Sequence, residues 1–147
     1  MKNKTPQFRY IEWKTPDEMH FSSLQWHSEL GFIQDEHRFF EDMLGEYTMP
    51  IIESHLFSRI KELIERLTDS KEKLQDLQQQ VNDHSNRLQR LVENVDEPKE
   101  GRQYRQEHKK ILQAVNEYSK EYKQLKKEIF AAVSQALKQQ KQKRLLT

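Results

Sequence analysis

Cysteine is absent from the 147 residues, which removes disulfides, thiolate nucleophiles and thiolate metal sites at once. Glycine is nearly absent. Only three are present, and neither a Gly-rich phosphate cradle nor a Gly-x-Ser-x-Gly elbow can be found. No apolar run approaches the roughly 18 residues that a membrane helix needs. The first residues are basic but lack the apolar stretch of an export signal. These absences lead us to expect a cytoplasmic, non-enzymatic chain with no cofactor and no membrane segment.

What is present is charge and leucine. Hydrophobic residues make up 34% of the chain and charged residues 33%, so a thick globular core is out of reach. Long helices that each bury one narrow stripe satisfy such a composition. The net charge of +1 conceals an uneven distribution. Between Asp17 and Tyr47 there are eight acids and one base, Arg38, whereas Lys99 to Thr147 holds thirteen bases and five acids.

Prolines punctuate the chain. Thr15-Pro16-Asp17-Glu18 reads as a capping box with proline at the first helical position. Pro50 opens a second periodic segment and Pro98 a third, after the turn signal Asp96-Glu97. The expected helices cover about 15–47, 50–95 and 98–143 of one domain, 15–147, preceded by an extended arm, 1–14.

Their seams alternate in steps of three and four. The first segment places Trp26, Leu30, Ile33, His37, Phe40, Leu44 and Tyr47. The second runs from Leu56, Ile60 and Leu63 through Leu67, Ser70, Leu74, Leu77, Val81, His84, Leu88 and Leu91 to Val95. The third carries Tyr104, His108, Ile111, Val115, Tyr118, Tyr122, Leu125, Ile129, Ala132 and Ala136. Beside them, Phe39, Phe57, Ile64, Phe130 and Val133 should widen the stripe where all three segments meet. The fold expected is all-α: three long antiparallel helices in a coiled-coil-like bundle. Counting from a fold-back near residue 49, the second and third helices should extend past the first as a two-helix hairpin over about 83–111. Leu88, Leu91, Tyr104 and Ile111 on that tip would need a cover: the arm with Phe8, Tyr10, Ile11 and Trp13, a second copy in a homodimer, or a protein partner.

Histidines are the one candidate for metal chemistry. His84 and His108 should face each other across the last turn, but two ligands fall short of a metal site and no seam carboxylate completes them. A polar layer that sets helix alignment is the simpler reading. No histidine has glutamate three residues before it, as di-iron bundles require. Tyr118 and Tyr122 should form a second layer, near the level of His20 and His27. The basic segment Lys138 to Arg144 raises nucleic-acid binding, but scattered lysines and a near-zero net charge disfavour it. The function expected is protein–protein interaction or assembly through the tip and arm. A His/carboxylate metal-binding bundle and a nucleic-acid-associated helical protein are the alternatives.

Overall fold

The computed structural model describes residues 15–93 and 98–146, with side chains in the last helix from Arg102 onward. Four helices pack against one another: α1 (Pro16–Glu46), α2 (Thr48–Glu53), α3 (Phe57–Glu93) and α4 (Pro98–Leu146). No strand occurs among the described residues, and no helix of them is long and apolar enough to cross a membrane.

α1 begins where its cap dictates. The Thr15 backbone N–H donates to Glu18 Oε1 at 3.2 Å, and the Glu18 N–H donates back to Thr15 Oγ1 at 3.2 Å. Two of the N–H groups that a helix start leaves without partners are thereby satisfied.

The second segment is not one helix. Ser54 turns extended, with ψ at 161°, and ends α2. Its hydroxyl donates to the Ile51 carbonyl at 2.7 Å and accepts the Leu56 N–H at 3.1 Å, taking over bonds that a continuing helix would have made itself. The His55 N–H instead finds the Gln139 side chain at 3.0 Å. This local competition corrects the expectation of an unbroken helix from residue 50.

The break moves the alignment of α1. The count from residue 49 puts His37 near residue 61, yet its ring bonds to Ser70. The connection between the long helices includes α2 and the 54–56 break, so α1 lies farther along its neighbour. Trp26 consequently stacks on His108, at 4.5 Å between ring centroids. The expectation that residues 83–111 would lack the first helix is therefore wrong, because its N-terminal half packs there.

Contacts divide the chain into two compact units: Met1–Phe32 with Gln75–Glu117, and Ile33–Leu74 with Tyr118–Thr147. In the first unit, the core holds Met19, Trp26, Leu30, Leu77, Val81, Leu88, Ile111 and Val115. In the second it holds Phe40, Ile60, Leu63, Leu67, Leu74, Leu125, Ile129 and Ala136. The seam spacing thus selects the buried face throughout, although Tyr47, Leu56 and Tyr104 are only half-buried and Val95 lies outside the described residues. The stripe is narrower than expected, since Val133 is buried but Phe39, Phe57, Ile64 and Phe130 stay exposed.

Gly31 sits inside α1, and a Cβ added there would meet nothing within 4 Å. Gly31→Ala should therefore stabilise the protein by about 0.5–1 kcal/mol through the lower entropy of the unfolded chain. Denaturant titration of the two proteins checks this, and a lower midpoint for the alanine variant would refute it.

Candidate functional site

Two buried polar layers stand out, one in each unit. In the first, the seam spacing of α3 and α4 brings His84 and His108 face to face. His84 Nε2 and His108 Nδ1 are 2.9 Å apart, and both side chains are fully buried. Trp26 covers His108. Glu107 Oε1 lies 3.5 Å from His84 Nδ1 and forms an ion pair with Arg87. The carboxylate favours the proton on His84 Nδ1, which leaves Nε2 to accept from the His108 Nδ1–H.

Burial pushes His84 down to about 4, with the Arg87 charge acting in the same direction and Glu107 opposing it. His84 is thus held neutral at pH 7, and the pair is joined by one ring-to-ring hydrogen bond with an indole stacked on His108. Among the described residues, no group of three or more His, Asp or Glu side chains is placed to hold a metal ion. The ring nitrogens that face each other are already bonded to one another, which leaves little for a metal to take.

In the second unit, the layer is built around Ser70. His37 Nδ1 is 2.8 Å from the Ile33 carbonyl, which can only accept, so the ring proton resides on Nδ1. In the neutral ring Nε2 is then the acceptor, and the Ser70 hydroxyl at 3.0 Å gives it its single proton. Tyr118, with its hydroxyl 2.9 Å from Ser70 Oγ and 3.1 Å from the Ser70 carbonyl, is left to donate. The Tyr118 proton has two acceptors on Ser70, its Oγ and its carbonyl.

Tyr122 stacks on His37 at 5.1 Å and donates to Glu36 Oε1 at 3.1 Å. Lys126 meets the other Glu36 oxygen at 2.8 Å. Burial and the Glu36 carboxylate both push the Tyr122 phenol up, and burial does the same to Tyr118, so both remain protonated hydroxyls. Tyr122 does meet a histidine, but it is His37 rather than His20 or His27, because of the shifted alignment of α1.

Beside this layer, a cleft of about 540 Å³ lies between α3 and α4, flanked by Arg66, Asp69, Lys73 and Glu121. Two of its three cations, Arg66 and Lys73 but not Lys120, are seen in ion pairs. Arg66 pairs with Glu128 at 2.7 Å and Lys73 with Glu121 at 3.6 Å. Arg66 and Arg59 together hold the Glu128 carboxyl below its usual range.

Of the tip residues picked from sequence, Leu88, Leu91 and Ile111 are core and Tyr104 is half-buried. The arm residues Phe8, Tyr10, Ile11 and Trp13 lie outside the described residues. Sequence reasoning missed Met19 and Ser23, both fully buried, two turns and one turn before Trp26. Extending the spacing backwards from Trp26 would have found them. It also missed that Trp26 caps the histidine pair, since that depends on the alignment. No known family, curated protein or solved structure matches the chain.

Two measurements check these layers. The unfolded chain binds a proton on His84 near 6.5, but the folded chain only near 4. Stability should therefore be full above pH 6.5 and fall as the pH drops toward 4, by up to about 1.4 kcal/mol per unit. Replacing both rings, His84→Leu with His108→Leu, should leave the fold intact and remove that part of the acid slope; an unchanged slope would show that other groups cause it. Ser70→Ala takes the partner from His37 Nε2, while Tyr118 keeps the backbone carbonyl of residue 70, and should cost about 1–3 kcal/mol in denaturant unfolding. A neutral result would mean that water replaces the hydroxyl.

Proposed function

We propose that this chain is a non-enzymatic protein–protein interaction or assembly protein, with three antiparallel coiled-coil helices as its framework. The observation that carries the reading is the apolar surface left over once the core is complete. In the first unit, Phe21, Leu24 and Phe32 of α1 are 62%, 48% and 63% exposed. Steps of three and eight residues put them on one face of the helix. Large apolar side chains gathered on one face mark a contact surface more often than solitary ones do.

The polar layers support the same reading. The hydroxyls and ring nitrogens around Ser70 are spent on one another, as are the two facing nitrogens of the histidine pair, which suits alignment devices better than acids, bases or nucleophiles. With Leu88, Leu91 and Ile111 in the core, the contact surface moves from the tip seam to the exposed α1 face, together with half-buried Tyr104 and the arm residues Phe8, Tyr10, Ile11 and Trp13. The occupant of that face is a protein with a complementary apolar stripe.

The test is capture of partners on the immobilised full chain from source-cell lysate, with nuclease added, followed by mass spectrometry. The expected result is a protein retained after nuclease by the wild type and lost with Phe21→Glu/Phe32→Glu, at unchanged helical circular dichroism. Retention of nuclease-sensitive material alone would overturn the proposal and turn attention to the bases of α4.

A further inference from the structure

The second unit carries its own exposed apolar pair, with charges arranged around it. Phe40 is fully buried, and both Phe39 and Phe130 lean on it, at centroid distances of 5.7 and 5.1 Å. Phe39 is nevertheless 54% exposed and Phe130 41%. Two rings that share one buried neighbour form a single patch bridging α1 and α4.

The flanks of this patch differ in sign. On α1, Asp35 and Asp42 lie four residues before and three after Phe39, hence on its face of the helix. On α4, Lys123 and Lys127 lie seven and three residues before Phe130. All four are exposed, while the ion pairs of these segments engage Glu36 with Lys126, Glu41 with Lys71, and Glu128 with Arg59 and Arg66. The surface therefore has an aromatic centre, an acidic edge and a basic edge.

A surface of that design is complementary to itself. Turned by a two-fold axis through the aromatic centre, its acidic edge falls on the basic edge of its copy, and the converse pairing occurs at the same time. We infer that a second copy of this chain occupies this face, with Phe39 and Phe130 of each copy packed together and α1 of one copy beside α4 of the other. Charge complementarity selects the copy over an unrelated apolar partner, because both halves of the match are on one molecule. The inference rests on reading the chain as an assembly protein, but it uses a different face from the one proposed for a heterologous partner.

Sedimentation equilibrium of the full chain tests it, with four proteins in the same low-salt buffer. The wild type should give twice the 17.9 kDa chain mass, and Phe39→Glu/Phe130→Glu the single-chain mass at unchanged helical circular dichroism. Asp35→Lys/Asp42→Lys and Lys123→Glu/Lys127→Glu should each associate at least about 100-fold more weakly, since like charges now oppose across the axis. Mixing those two chains should restore a dimer, because both edges match again. A monomeric wild type, reversed chains that still dimerise, or a mixture that remains monomeric would each overturn the inference. None of these outcomes bears on partner capture through Phe21 and Phe32, so the two readings fail separately.

Discussion

A hydroxyl has one proton to give, and in this protein the proton of Ser70 is spoken for. The Ile33 carbonyl takes the His37 Nδ1–H, so Nε2 has to accept, and Ser70 is the donor within reach. Tyr118 then has to turn its own proton toward Ser70. In a core this narrow, an unmet donor or acceptor has nowhere to relax, and each would cost about 1–3 kcal/mol. The second unit's packing is arranged to meet that constraint: α1 is placed so that His37 reaches Ser70, and Tyr122 is left free to stack on His37 and bond Glu36. The first unit is simpler, with a single bond between two rings and an indole laid across one of them.

Apolar spacing made most of the buried face legible. The alternation through Trp26, Leu30 and Ile33, or Val115, Tyr118 and Tyr122, contains the answer, because only one face of a helix can recur at that interval. The capping box of Thr15 and Glu18 was equally visible, since its bonds lie within four residues. Pairing of His84 with His108 could be counted from the short turn between α3 and α4.

What could not be read was anything that depended on Ser54. Spacing reports which residues share a face, but it is blind to a serine that withdraws bonds from the helix and ends it. That one hydroxyl changed the partner of His37 from the neighbourhood of residue 61 to Ser70, and brought Trp26 onto His108. Spacing was also blind to whether a neighbour is there to be met. Phe39, Phe57, Ile64 and Phe130 adjoin the seam and look like a widened stripe, yet each is at least 40% exposed and none enters the core. The residue type announces a wish to be covered; only the packing tells whether this chain grants it.

Trp26 and the histidine pair also differ in how far apart the chain must reach to assemble them. His84 and His108 are separated by 24 residues, whereas Trp26 reaches His108 across 82. Closing the longer loop costs about 1 kcal/mol more in chain entropy, so the contact that covers the pair is the more demanding of the two. The indole is carried by the first half of α1, and whatever loosens that half uncovers His108 without itself breaking the bond between the imidazoles.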